Sequence, residues 1–123
     1  MKIRIKGNSF RIRLTRSEVD QFAEAGYLEE TTEFGSNSFV YAIQSMDGIP
    51  ALEADYEENK MTMYVPSNIP AVWAKNETVG YENNMEIGDG KHLFLLLEKD
   101  FKCIDAPAHE DQSDNFENPH KVC

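Results

Sequence analysis

The sequence predicts an α+β fold: an antiparallel sheet, which could close toward a barrel, with two short helices. Three observations lead to it. Several segments alternate apolar and polar residues with the period of two that is typical of strands, and Gly-, Asn- or Asp-containing turns separate most of them. Two segments carry the signals that begin a helix. Beyond residue 102 the composition becomes polar and acidic, as in a tail. The predicted order is ββα-ββββ-α-ββ.

The first two strands are predicted to form a hairpin around the turn Gly7-Asn8-Ser9, because charged and apolar residues alternate on both sides of it. One set of alternating side chains should face the core: Ile3, Ile5, Phe10, Ile12 and Leu14. The opposite side of the hairpin then collects five cations, which we call the basic face: Lys2, Arg4, Lys6, Arg11 and Arg13.

Thr15 and Glu18 mark the start of the first helix, since they form a capping box in which each side chain can bind the other residue's backbone N–H. Gly26 suits the left-handed position that follows a helix. We therefore expect this helix over residues 16–25. A second, short helix should follow Pro66-Ser67, with Pro70 in its first turn, where a missing N–H does no harm.

Four strands are expected between the helices, at 27–34, 38–44, 51–56 and 60–65, paired as an antiparallel meander. Two more should follow the second helix, at about 79–87 and 92–98. The last contains five consecutive apolar residues, so we expect it to be covered on both faces in the centre of a sheet. The sequence shows no convincing internal repeat.

Length and composition indicate a single domain. The chain has 123 residues, of which 41% are hydrophobic, and this suits one packed core. We expect the domain to span residues 1–102 and an acidic tail containing Cys and His to span 103–123. No export signal and no long apolar run occurs in the sequence, which predicts a cytoplasmic protein without a membrane partner.

Charge is divided unevenly along the chain. The formal net charge is −10, which argues against a nucleic-acid partner, because such binding needs cations that neutralise phosphates. Residues 1–16 nevertheless hold six of the 12 basic residues and no acidic residue, for a net charge of +6. The other 107 residues carry 22 acidic and six basic groups, a net charge of −16. The two parts should attract each other.

The cations of the basic face would repel one another unless anions lie opposite, and three kinds of anion are open. Acids of facing strands could pair with them: Glu29, Glu33, Glu53, Asp55 and Glu57. Acids of the tail could fold back onto them: Glu110, Asp111 and Asp114. A phosphate-bearing ligand could bind the planar guanidinium groups of Arg4, Arg11 and Arg13.

The tail contains a C-x5-H-x10-H-x2-C pattern formed by Cys103, His109, His120 and Cys123. Thiolates and imidazoles are the ligands that tetrahedral zinc prefers, so these four residues are a candidate structural zinc site. The spacing matches no standard zinc finger. The alternatives are a disulfide between the two cysteines and two free thiols, of which free thiols are the expected state in a cytoplasmic protein. We expect no other cofactor.

The sequence lacks the motifs of common catalytic sites, including G-x-S-x-G, the Walker loop and H-E-x-x-H. We therefore expect a non-enzymatic binding or interaction domain, whose tail docks on the basic face and whose partner is a protein or a small anion. The competing hypothesis is a phosphate-handling enzyme, in which Glu53, Asp55 and Glu57 hold a divalent metal beside the basic face. That enzyme requires both groups to converge in one concave pocket.

Three stretches carry a resemblance: MKIRIKGNSFRIRLTRSEV at residues 1–19, EKDFKC at 98–103, and HEDQSDNFENP at 109–119 with the terminal Cys123. In these stretches the chain resembles a family of small bacterial proteins, a domain of unknown function. The resemblance implies a bacterial, cytosolic protein in which the hairpin and the tail belong together. It implies no reaction and no catalytic residue.

Overall fold

The structure, a computed structural model, describes residues 1–101 and 113–117 of the chain. It contains eight strands and two helices in the predicted order. They are β1 (Lys2–Ile5), β2 (Ser9–Leu14), α1 (Arg16–Ala25), β3 (Tyr27–Glu33), β4 (Ser38–Met46), β5 (Glu53–Glu57), β6 (Lys60–Pro66), α2 (Pro70–Trp73), β7 (Gly80–Gly88) and β8 (Lys91–Lys99).

The strands form two four-stranded sheets. Sheet A has the order β1-β2-β8-β7, and sheet B has the order β3-β4-β6-β5. Each sheet consists of two antiparallel hairpins whose inner strands, β2 with β8 and β4 with β6, run parallel. The expectation of one antiparallel sheet closing toward a barrel is therefore wrong: over residues 1–101 and 113–117 the strands divide between two open sheets.

Burial explains why β6, and not β5, lies beside β4. β6 buries Met61, Thr62 and Met63 in succession, so both of its faces are covered, whereas β5 is largely exposed. A strand covered on both faces belongs inside a sheet and a polar strand belongs at its edge. The meander prediction missed this pairing because it joined neighbours in sequence. β8 is central, as its apolar run predicted.

The inner faces of both sheets contribute to one hydrophobic core, together with the two helices. In sheet A, Ile12 lies opposite Leu97, and in sheet B, Ile43 lies opposite Met63. All four side chains are 0% exposed. Because side chains alternate along a strand, the neighbours of these residues lie on the outer faces of the sheets, and the two outer faces point away from each other.

The two helices differ in how they begin. In α1 the capping box is present: Glu18 N donates to Thr15 Oγ1 at 3.4 Å, and Thr15 N donates to Glu18 Oε1 at 2.9 Å. α2 has only four residues and no side-chain cap, and it is held mainly by Trp73, which is fully buried. Trp73 Nε1 donates to the carbonyl oxygen of Thr78 at 2.8 Å. No helix in the described ranges is long and apolar enough to cross a membrane.

The two halves of the chain share one architecture, although the sequence shows no repeat. The first half is β1-β2-α1-β3-β4 and the second is β5-β6-α2-β7-β8. Exchanging the halves converts the strand order of sheet A into that of sheet B. In this correspondence Ile12 matches Met63, and Leu97 matches Ile43. The fold is a structural duplication.

Loop hydrogen bonds repeat with the strands. Val40 N donates to Asn59 O at 3.0 Å in sheet B, and Phe94 N donates to Asn8 O at 3.1 Å in sheet A. Each bond joins a central strand to the turn of the neighbouring hairpin. The duplication therefore extends to the backbone detail of the turns.

Candidate functional site

The basic face lies on the outer side of sheet A. The register of the first hairpin places Arg4 opposite Arg11 and Lys2 opposite Arg13, so like charges face each other across the two strands. Of the side chains expected in the core, Phe10, Ile12 and Leu14 are buried and Ile3 packs against the core. Ile5 is 61% exposed, which corrects its expected burial, since it lies where edge strand β1 ends.

One carboxylate on the next strand compensates two of the cations. Arg13 Nε donates to Glu98 Oε1 at 2.7 Å, and Arg11 Nε lies 3.4 Å from the same oxygen. Glu98 comes from β8, which pairs with β2. The five acids expected to be partners lie elsewhere, on the edge strands of sheet B: Glu29, Glu33, Glu53, Asp55 and Glu57. That expectation is wrong because their strands belong to the other sheet.

The other three cations of the basic face differ in whether a described carboxylate lies close to them. Lys2 Nζ lies 3.2 Å from Oδ2 of the buried Asp100. For Arg4 and Lys6, no carboxylate of the described residues lies within 4 Å. The end of the hairpin near its turn therefore carries positive charge that the described acids leave uncompensated.

Two shallow depressions follow the basic face. One, of about 220 Å³, is bordered by Arg4, Lys6 and Arg11, with the partly buried Phe94 and Leu96 also lining it. The other, of about 300 Å³, is bordered by four of the cations: Lys2, Arg4, Arg11 and Arg13. Arg4 and Arg11 belong to both, so the depressions adjoin. Cations around an apolar patch can bind a chain that carries both carboxylates and apolar side chains.

The carboxylates of the enzyme hypothesis do not join this face. Asp55 accepts a hydrogen bond from Tyr64 Oη at 3.1 Å, and Glu57 lies opposite Lys60 in the pairing of β5 with β6. Because the outer faces of the two sheets point apart, these acids do not converge with the arginines in one pocket. Within residues 1–101 and 113–117, no group of three or more His, Cys, Asp or Glu could hold a metal.

The described part of the tail packs at the start of α1. Arg16 N donates to the carbonyl oxygen of Asp114 at 2.9 Å, and Ser17 N donates to Asp114 Oδ1 at 3.2 Å. The Ser17 hydroxyl also donates to this carboxylate. Hydrogen bonds from Ser17 and Thr15 hold the pKa of Asp114 below its usual value. Asp114 therefore caps a helix, where N–H groups attract an anion, and the prediction that it docks on the basic face is corrected.

The other tail predictions fall outside the described residues. These are docking by Glu110 and Asp111, and zinc binding by Cys103, His109, His120 and Cys123. They remain predictions.

Sequence analysis missed Lys99, the last residue of β8. It is only 5% exposed, and its Nζ donates to the carbonyl oxygen of Asn76 at 2.7 Å. The ammonium also lies 5.7 Å from the ring centre of Trp73 and 5.1 Å from that of Phe116. Burial, with a contribution from nearby Arg16, lowers the pKa of Lys99. A buried cation with a lowered pKa is a candidate functional group.

Over residues 1–120 the chain matches a family of unknown function (DUF7009), and it belongs to that family. The resemblance of its two ends to a family without a known function is thereby confirmed. No curated protein and no solved structure matches the chain. Its function must therefore be inferred from the chemistry of its own surfaces.

Proposed function

We propose that this member of DUF7009 is a non-enzymatic interaction domain that binds an acidic segment of a partner protein along the basic face. One observation carries the proposal. No carboxylate of the described residues, which include all but three of the protein's 22 acidic residues, lies within 4 Å of Arg4 or Lys6. Phe94 and Leu96 lie beside these cations and are only partly buried. The face thus offers both charge and apolar area to a partner.

The shape of the face favours an extended segment over a single ion. Its cations run from Lys2 to Lys6, a length of roughly 13 Å at about 3.3 Å per residue of strand. The two adjoining depressions follow this direction and share Arg4 and Arg11. Several carboxylates spaced along a peptide can meet the cations together, whereas one small anion can meet only two or three of them.

The negative charge of the whole protein does not prevent this binding. At physiological salt the screening length is about 8 Å, so charges on the far side of the molecule act weakly at the basic face. The nearest cations then decide the interaction at contact. Sheet A also places its own acid, Glu98, between Arg11 and Arg13, whereas no acid of residues 1–101 and 113–117 lies within 4 Å of Arg4 or Lys6.

The test is fluorescence anisotropy with a labelled decaglutamate peptide at physiological salt. We expect saturable binding, with a dissociation constant of about 1 mM or lower. The double variant Arg4→Gln/Lys6→Gln should weaken binding roughly tenfold or more, because each lost charged contact is worth about 1 kcal/mol or more. The matched control Lys60→Gln/Lys75→Gln removes the same charge outside sheet A and should change affinity by less than about threefold.

Two results would contradict the proposal. One is the absence of saturable binding to the wild-type protein. The other is an equal loss in both double variants, which would show that only net charge matters.

A second candidate is favoured by the smaller depression, whose three cations could surround a phosphate group. In this case the domain would bind a small phosphate compound. Tripolyphosphate should then compete with decaglutamate, bind the wild-type protein more tightly than the peptide does, and lose its affinity in Arg4→Gln/Lys6→Gln. If tripolyphosphate binds more weakly than the peptide, the interaction domain is the better assignment.

A further inference from the structure

The structural duplication is broken at one end of the molecule. α1 has ten residues and α2 has four. A single residue, Gly26, joins α1 to β3, whereas residues 74–79 join α2 to β7. The second half therefore has a shorter helix and a longer connection at the same place in the fold. This difference leaves space beside the end of β8.

Lys99 occupies the position at which the first half has Ser45. The correspondence follows from the backbone: Ser45 N donates to Gly26 O at 2.8 Å, and Lys99 N donates to Val79 O at 2.9 Å. The first half closes this position with a small hydroxyl side chain. A lysine is consequently not required by the fold, and a buried ammonium is costly to keep. Its presence calls for a reason other than packing.

A cavity of about 470 Å³ lies where these differences meet. Its walls are the connection 74–79, the end of β8 with Lys99 and Phe101, Arg16 of α1, and Phe116 of the tail. The volume falls within the range of small-molecule sites. It is as open to solvent as the depressions of the basic face, but the segments that line it are distant from one another in sequence.

Three cations line this cavity, and two of them, Lys99 and Arg16, lie over the same aromatic ring. Lys99 Nζ lies 5.1 Å and Arg16 Cζ lies 4.9 Å from the ring centre of Phe116, so the same ring meets both charges. Among the residues described, no carboxylate lies within 4 Å of either cation. The Phe101 ring lies beside Phe116, with 5.9 Å between their centres. The cavity thus combines three cations and two aromatic rings with two acids.

We propose that this cavity binds a small organic carboxylate with a flat apolar body. The carboxylate would meet Lys99 and Arg16, and the apolar body would pack against Phe101 and Phe116. Arginine suits this role because its planar fork matches a carboxylate. Two acids, Glu77 and Glu117, also line the cavity, and they would repel a phosphate dianion more strongly than a monoanion.

The lowered pKa of Lys99 agrees with this site. Burial and Arg16 disfavour its ammonium form more than nearby Glu77 favours it, and a bound carboxylate would favour that form further. Two other polar residues lie at the cavity, Lys75 and Asn76, and the Asn76 carbonyl already accepts one of the three ammonium protons.

The test uses Trp73, the one tryptophan of the chain, whose ring lies 5.7 Å from Lys99 Nζ. Benzoate is titrated into the full chain, Trp73 fluorescence is followed, and calorimetry provides an independent isotherm. We expect saturable binding below about 10 mM benzoate. Lys99→Met should weaken it roughly tenfold or more. Lys60→Met is the matched control, because Lys60 also packs on an aromatic ring, 5.0 Å from that of Tyr27, but on sheet B. It should bind as the wild type does.

The proposal is overturned if no saturable signal occurs, if Lys99→Met binds as well as wild type, or if the neutral benzyl alcohol binds as tightly as benzoate. Tighter binding of phenyl phosphate would overturn the assignment to a carboxylate. Should Lys99→Met fail to fold, Arg16→Gln replaces it, and the same tenfold loss is expected because Arg16 is the other cation of the cavity.

Discussion

Sheet A and sheet B have the same strand arrangement and share one core, yet their outer faces carry opposite charge. The hairpin β1-β2 exposes Lys and Arg, and the equivalent hairpin β5-β6 exposes Glu and Asp at its edge. Inside, the equivalent residues Ile12 and Met63 are both 0% exposed, and so are Leu97 and Ile43. Packing therefore constrains the inner faces alike, while the charge of each outer face is free to serve a partner.

Cavity-forming substitutions at equivalent core positions test whether the inner faces of the two sheets are packed alike. Leu97→Ala in sheet A and Ile43→Ala in sheet B each remove a side chain that is 0% exposed. Each should lower the free energy of unfolding by about 2–5 kcal/mol, measured by urea denaturation. The two losses should agree within about 2 kcal/mol. A loss below about 1 kcal/mol at either position would show that the halves are not packed alike.

Removing one acid from the outer face of each sheet tests whether the two faces differ in their charge interactions. Glu98→Gln should lower the free energy of unfolding by about 1–2 kcal/mol, because this partly buried carboxylate binds Arg11 and Arg13. Asp55→Asn should change it by less than about 0.5 kcal/mol, since its hydrogen bond with Tyr64 is exposed. Glu98→Gln should also tighten decaglutamate binding, because it frees two arginines. Weaker peptide binding by Glu98→Gln would contradict our account of the face.

The smallest expected effect concerns pH and compares one lysine from each sheet. Burial and Arg16 lower the pKa of Lys99. Between that pKa and the ordinary value of 10.5, the unfolded chain binds more protons, so this group adds stability as pH rises. A hydrogen bond with Tyr27 raises the pKa of Lys60 above 10.5, so its contribution is lost as pH rises past that value.

Urea unfolding measured from pH 8 to 11 distinguishes the opposite pH dependences of the stability that Lys99 and Lys60 contribute. The stability of wild type minus that of Lys99→Met should increase with pH, and the same difference for Lys60→Met should decrease. Differences of the same sign would contradict the distinct surroundings of the two lysines.

Local patterns were sufficient to predict the strands and helices. Alternation identified the basic face, and Thr15, Glu18 and Gly26 located α1. Strand pairing could not be predicted in the same way, because β2 pairs with β8 and β4 with β6 according to which strands are covered on both faces. That burial depends on contacts between residues far apart in sequence. The duplication stayed hidden for the same reason, since equivalent core positions hold different apolar residues.

The burial of Lys99 could be predicted from the sequence, but the residues around it could not. The alternation of Leu95 and Leu97 in β8 points Lys99 toward the core, and this signal was present in the sequence. Its surroundings were not, because they come from the connection 74–79, from Arg16 and from Phe116 of the tail. A buried cation becomes a candidate site only when such distant segments are known to meet.

The most direct test of the central claim, that the basic face of sheet A is the interaction surface, is a nitrogen–proton NMR titration of the labelled protein with decaglutamate. Our account predicts that the amide signals that shift belong to β1, β2 and the turn between them, with Arg4, Lys6 and Arg11 among the largest. Signals of β5 in sheet B should stay in place. Shifts that concentrate on β5, on the start of α1 or around Lys99, with none on the first hairpin, would contradict it.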